Sequence, residues 1–235
     1  MNKAVKGNYD IPDFLKGQLI VSCQALRDEP LYGTKFMVMM AKAALIGGAR
    51  GIRANSVEDI KAIKRQVNLP IIGIIKKEYI ESECYITPTM KEVRHLVELA
   101  KPQIIAVDAT DRIHPGGMNG SRFVAAVKKA YPDVLLMADI STYNEGVEAE
   151  AAGADFVSTT LSGYTANSRQ IINPDFELME QLSRDLKIPV VAEGRIWTPE
   201  EAKMAFKLGV FAVVVGAAIT RPAEITKRFI DNGRM

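Results

Sequence analysis

The sequence predicts one (β/α)8 barrel domain spanning residues 1–235, and three observations carry that reading. Short Val- and Ile-rich runs alternate with stretches of helical period from about residue 19 to the end. The runs are apolar on both faces, as in parallel strands covered by helices outside and by a filled interior inside. There are about eight strand-helix units, in a chain close to the roughly 250 residues such a barrel takes. That count suits a closed barrel far better than an open doubly wound sheet.

The strands read as Leu19–Gln24, Gly51–Ala54, Pro70–Lys76, Ile104–Ala109, Val134–Ile140, Phe156–Leu161, Pro189–Glu193 and Ala212–Gly216. Between them, Lys35–Ile46, Val57–Gln66, Met90–Ala100, Arg122–Ala130, Glu145–Ala152, Phe176–Leu186, Glu200–Lys207 and Ala223–Ile230 read as helices. The helix ends carry matching punctuation. Gly47-Gly48, Gly153 and Gly209 stand where a left-handed residue closes a helix. Ser56, Thr89, Thr142 and Thr198 stand as N-caps, each with a Glu or Asp two or three residues later. No linker or low-complexity segment interrupts the series.

Composition excludes several classes. Lys+Arg 30 against Asp+Glu 28 gives a formal charge of +2, too balanced for the basic face a nucleic-acid partner requires. With 48% hydrophobic and 25% charged residues there is ample material for one large core. The longest nearly apolar run, Phe211 to Ile219, is about half of what a membrane-spanning helix needs, so no membrane partner is expected. The first residues, MNKAVKGNYDIPDF, hold no apolar secretory core, which predicts a cytoplasmic protein. Cys23 and Cys84 form neither a disulfide framework nor a C-x-x-C pair. His95 and His114 have no metal-ligand spacing, so no metal site is expected. His114, in a Pro-Gly-Gly loop, reads as a solvated residue, and Cys23 and Trp197 as packing residues.

In such a barrel, function concentrates at the C-terminal ends of the strands. Those ends hold Gln24, Arg53, Lys76, Asp108, Asp139, Thr160 and Glu193, with Gly216 at the eighth. Two residues back, pointing to the same side, stand Ser22, Gly51, Ile74, Ala106, Met137, Ser158 and Val191. The pattern is a polar mouth above a smaller or apolar floor. Strand-end polar groups also cap barrels that bind nothing, but an inward Lys76 after Pro-Ile-Ile-Gly-Ile-Ile, or Glu193 after Pro-Val-Val-Ala, is costly to bury without a use. Strands 3 and 7 face each other across the axis, so the Lys76 amine and the Glu193 carboxylate can meet over one bound molecule. Desolvation would lower the lysine's pKa and a neighbouring carboxylate would raise it; the sequence leaves that balance open.

A phosphate signal accompanies this pair. Gly163, Gly194 and Gly216 lie in the loops after strands 6 to 8, where barrels often bind phosphate through backbone N–H groups. Arg221, before Pro222, adds charge there. Ser162 and Tyr164 fit either a pocket wall or a packing role.

Several stretches together resemble the N-acetylmannosamine-6-phosphate 2-epimerases of bacterial sialic-acid catabolism: LIVSCQALRDEPL, GIRA, LPIIGIIK, ITPTMKEV, MADIST, FVSTTLSGYT, IPVVAEGRI and VVGAAITRPAEITKRF. The resemblance runs from about residue 17 to residue 229 and diverges in the N-terminal dozen residues and the RIHPGG loop. It implies a barrel that interconverts N-acetyl-D-mannosamine 6-phosphate and N-acetyl-D-glucosamine 6-phosphate, with no metal or nucleotide cofactor, commonly as a homodimer. It further implies Lys76 as the proton-transfer residue and Glu193 as its support. Gln24, Arg53 and Asp139 are then expected to contact the sugar, and Arg221 the phosphate end.

The chemistry accounts for these residue types. The C2 proton becomes acidic only beside the C1 aldehyde of the open chain, so ring opening, a general base and enolate stabilisation are all needed. Whether one base or two return the proton is open. Two other readings use the same residues: a lysine at a strand end can form a Schiff base with a carbonyl substrate, as in aldolases, and a barrel can sense a sugar phosphate without turnover. Ribulose-phosphate epimerases resemble the chain less, since their strand-end His and Asp metal ligands are missing here.

Overall fold

The structure is a computed structural model that describes residues 11–233. Eight parallel strands close in sequence order: β1 (Leu19–Cys23), β2 (Gly51–Asn55), β3 (Ile71–Ile74), β4 (Ile104–Asp108), β5 (Leu135–Asp139), β6 (Phe156–Ser158), β7 (Val190–Glu193) and β8 (Ala212–Val215). The ring shuts where Leu19 pairs with Val213. The helices packed around it are α2 (Thr34–Ile46), α3 (Val57–Lys64), α4 (Met90–His95), α5 (Gly120–Ala130), α6 (Tyr143–Ala151), α7 (Phe176–Asp185) and α8 (Pro199–Lys207), after a short α1 (Ile11–Leu15). At the far end α9 (Ala217–Thr220) precedes α10 (Pro222–Gly233). No helix among the described residues is long and apolar enough to cross a membrane.

The two-sided apolarity of the strands divides as a barrel requires. Alternate residues such as Ile20, Ile72, Ile104, Met137, Phe156 and Val214 fill the interior, while their neighbours Val21, Ile52, Ile105 and Ala138 pack against the helices. The expected caps are made: Ser56 accepts the Asp59 N–H and Thr89 that of Lys91, and Thr142 with Glu145 and Thr198 with Glu201 form complete capping boxes. Each such cap stabilises its helix by about 1 kcal/mol. Gly48, Gly153 and Gly209 take the left-handed conformation with φ of 97°, 94° and 91°, whereas Gly47 stays right-handed at φ −69°.

Several elements differ from the sequence expectation. All the strands but β2 and β7 end one to three residues early, so Gln24, Lys76, Thr160 and Gly216 lie on the loops just above the ladder. The stretch read as a helix from Met90 to Ala100 changes to a π-helical turn after His95. Its last N–H, from Lys101 at φ 52°, reaches Leu96 O at 2.7 Å, and the Lys64 ammonium takes the Ala100 and Lys101 carbonyls. Pro102 cannot continue the helix and its ring packs on Gly73, where a Cβ would lie 2.6 Å from the Pro102 Cγ. The short α1 is not legible from periodicity. It places Leu15 against Ile20 and Gly51 and closes the N-terminal end of the barrel.

Candidate active site

A cavity of about 330 Å³ opens at the C-terminal ends of the strands. Gln24, Lys76, Thr160, Glu193, Gly194, Gly216 and Arg221 line it, so the structure brings together most of the residues singled out from the sequence. Arg53 and Asp139 do not line it. They are 1% and 0% exposed and adjoin it through Glu193, and the sugar contact that the resemblance implies for them stays an expectation.

Interior alternation forces that arrangement. Arg53 from β2 and Asp139, Ser158 and Glu193 from β5, β6 and β7 all point inward, and a buried guanidinium is tolerated only when paired. Arg53 Nη2 donates to Asp139 Oδ2 at 2.5 Å and Nη1 to Asp139 Oδ1 at 3.0 Å, while Nη1 lies 3.0 Å from Glu193 Oε2. Thr160 Oγ1 lies 2.8 Å from Asp139 Oδ1 and 3.2 Å from Glu193 Oε2, bridging the two carboxylates. Burial pushes the Glu193 carboxyl up to about 7 against the pull of Arg53, and the Asp139 charge adds to the rise. Glu193 is thus an acid poised near neutrality at the cavity wall. Hydrogen-bonding capacity is left over: Arg53 Nε and Gln24 Oε1 are buried without a partner among the described residues, although Gln24 Nε2 donates to Ser22 Oγ at 2.8 Å.

Lys76 stands across the cavity. Its backbone N–H donates to Asn55 Oδ1 at 2.8 Å. The chain beyond it doubles back, with Lys77 N–H to Tyr85 O at 2.9 Å and Thr87 N–H to Ile75 O at 2.8 Å. This hairpin lays the Tyr85 ring 6.0 Å from Lys76 Nζ. Burial lowers the Lys76 pKa, and the Arg53 and Arg221 charges lower it further against Glu193 and Asp139. The balance the sequence left open therefore falls toward the neutral amine. Asn55 and Tyr85 were missed because neither ends an apolar run; only the folded hairpin brings Tyr85 to the lysine.

At the opposite end Gly194, with φ 110°, and Gly216 line the cavity. Gly216 precedes α9, whose first N–H groups have no side-chain cap. Arg221 reaches this end but is committed to Glu29, with Nε and Nη2 each 2.8 Å from its carboxylate. Gly163 does not line the cavity, and its N–H donates to Ser168 Oγ at 2.9 Å. Trp197 lines the cavity wall as well as packing beneath the Arg228 guanidinium, 4.9 Å from its ring. Tyr164 lines it too, and Ser162 is turned away to Asp175 Oδ2 at 2.7 Å. Arg195, which no sequence pattern singled out, also lines the wall.

A second polar group gathers at the β4 end; its residues do not line this cavity, although the Arg112 guanidinium lies 5.8 Å from the ring of Tyr85, which does. His114 is 2% exposed, which corrects the expectation of a solvated loop residue. Its Nδ1 lies 2.8 Å from Pro88 O and its Nε2 3.0 Å from Asp108 O, and the ring stacks on Phe123. Asp108 accepts from Thr110 N–H, Thr110 Oγ1 and Arg112 Nη2 at 3.1, 2.7 and 2.5 Å. Burial, helped by the Asp108 charge, pushes the adjoining Cys84 thiol up to about 12. Cys84, Asp108 and His114 lie close enough to suggest metal ligands, but the Asp108 carboxylate already accepts three hydrogen bonds and each ring nitrogen of His114 faces a backbone carbonyl oxygen. Cys23 is buried in the outer core, as expected.

The family model described as "Putative N-acetylmannosamine-6-phosphate epimerase" matches residues 37–234. The chain belongs to this family. Relatives carrying the corresponding 2-epimerase name include one from Caldanaerobacter subterraneus subsp. tengcongensis, 56% identical over 94% of this chain and 93% of the relative. Another, from Clostridioides difficile, is 52% identical over 93% of this chain and 96% of the relative. A solved structure of the N-acetylmannosamine-6-phosphate 2-epimerase from Clostridium perfringens superposes with a TM-score of 0.91 at 53% identity, covering 98% of this chain and all of that one. A thiamine phosphate pyrophosphorylase from Pyrococcus furiosus, at 20% identity and a TM-score of 0.62, covers 93% of each chain and shares the fold.

Proposed function

We propose that this family member interconverts N-acetyl-D-mannosamine 6-phosphate and N-acetyl-D-glucosamine 6-phosphate by removing and returning the C2 proton of the ring-opened sugar, in amino-sugar and sialic-acid catabolism. The observation that carries the reading is one cavity lined by an amine whose pKa is lowered and a carboxyl raised to about 7. Oppositely perturbed groups on one ligand site are the arrangement acid-base chemistry needs.

Lys76 in its neutral form takes the C2 proton. Glu193 moves the proton between O1 and the ring oxygen that opening the hemiacetal requires. Arg53 and Asp139 act from beside the cavity, fixing the orientation and protonation of Glu193, and Gln24 offers its spare acceptor to the sugar. Gly194, Gly216 and Arg221 face the phosphate end. Lys76→Arg fails in this scheme because a guanidinium does not become neutral.

The test is incubation with N-acetylmannosamine 6-phosphate in deuterated water, followed by proton NMR at C2. Formation of the gluco epimer with deuterium at C2 supports the reading; binding with neither exchange nor epimer overturns it. Borohydride trapping of a covalent adduct at Lys76 would favour the Schiff-base alternative.

A homodimer is supported by α10, which leaves Phe229 77% and Ile230 51% exposed on one amphipathic helix. Sedimentation of wild type and Phe229→Glu tests it: a dimer that dissociates on substitution is expected. The free, buried Cys23 and Cys84 fit a reducing, cytoplasmic setting, and one domain over residues 1–235 remains the proposed organisation.

A further inference from the structure

The two arginines at the phosphate end of the cavity are not equivalent. Arg221 lines it with its charge already met by Glu29, through two hydrogen bonds of 2.8 Å. Arg195 lines the same cavity, and among the described residues no carboxylate pairs with it. Its Nη1 and Nη2 donate to the neutral backbone carbonyls of Ser162 and Gly163. Its guanidinium lies 4.0 Å from the centre of the Tyr164 ring. Those contacts fix the plane of the fork without neutralising it.

The backbone on both sides is shaped to hold it there. Arg195 itself has φ 56°, a left-handed conformation that costs an L residue energy and persists only when its surroundings enforce it. Gly163, at φ 73°, has no room for a side chain: a Cβ would lie 2.8 to 2.9 Å from the Arg195 guanidinium. The glycine after β6 is therefore explained by the arginine after β7. A planar, fixed guanidinium with no carboxylate of its own, next to the Gly194 backbone in the cavity wall, suits an oxygen-rich dianion.

We infer that Arg195 is the side chain that binds the substrate's phosphate, oriented by Tyr164 and the Ser162 and Gly163 carbonyls, and that the paired Arg221 has the lesser part. This rests on the phosphorylated substrate proposed above. The experiment is calorimetric titration of N-acetylglucosamine 6-phosphate and of unphosphorylated N-acetylglucosamine into wild type, Arg195→Gln, Arg195→Lys, Arg221→Gln and Tyr164→Leu, with turnover measured alongside. Arg195→Gln is expected to raise Kd and KM for the phosphorylated sugar roughly 10- to 100-fold, with kcat at saturation retained. Arg195→Lys should recover part of the affinity, and Arg221→Gln should lose less than Arg195→Gln.

Unchanged affinity in folded Arg195→Gln, or a fall in kcat with Kd intact, overturns the assignment, as does a larger loss from Arg221→Gln. If circular dichroism shows Arg195→Gln to be unfolded, Tyr164→Leu decides: weaker binding of the phosphorylated sugar supports the inference and unchanged binding overturns it. Wild type that binds neither sugar would instead overturn the epimerase reading itself.

Discussion

Two buried polar networks lie at the same end of this barrel, and the one around Glu193 opens onto the cavity of about 330 Å³. Around Glu193 the inward side chains of β2, β5 and β7 put two carboxylates on one arginine. Arg53 Nε is left there without a partner among the described residues and one carboxyl is pushed up to about 7. Around Asp108 the carboxylate is met by Arg112, the Thr110 hydroxyl and the Thr110 N–H, and the His114 ring nitrogens face backbone carbonyls. Unspent capacity and an acid poised near neutrality mark a site built to receive something; saturation marks a brace.

The contrast can be broken most decisively at Lys76. Lys76→Ala should lower kcat by about 10²–10⁴ or more while circular dichroism and thermal unfolding stay near wild type; an active variant with its fold intact would remove the base. Next is Arg53→Met, which leaves Asp139 buried without its partner. It should cost about 3–5 kcal/mol in urea unfolding and push Glu193 further up, because Arg53 is the charge that holds it down.

Glu193 also predicts a pH dependence. Its folded-state pKa of about 7 lies above the ordinary 4.5, so between those values the folded protein holds a proton that the unfolded chain releases. The resulting stability is fully present below 4.5 and lost as pH rises to about 7. Measured against Glu193→Gln, wild type should lose a few kcal/mol over that window, at about 1.4 kcal/mol for each pH unit it spans. A flat difference would place Glu193 at its ordinary value. The smallest effect belongs to the brace. His114→Ala should cost about 1–3 kcal/mol by removing a buried hydrogen-bond donor and the ring stacked on Phe123 and leave kcat unchanged; a fall in kcat at full stability would tie the second network to the chemistry.

The sequence by itself determined the closed eight-stranded barrel, because two-sided apolar runs and capped helices admit few other packings. It also located Lys76, Glu193 and Gln24 at the mouth, since the period of a strand decides which residues face inward. Tertiary structure alone decided that Arg53 and Asp139 pair with each other beside the cavity, that Gly163 makes room for Arg195 and that Tyr85 reaches Lys76. Each of these depends on how far a side chain or loop carries across the barrel, and on which partner takes its hydrogen bonds. His114 was misread for the same reason: a Pro-Gly-Gly loop reads as solvated until Phe123 and two carbonyls are found around the ring. The balance on Lys76 was likewise settled by burial, a property of the assembled cavity that no spacing along the chain encodes.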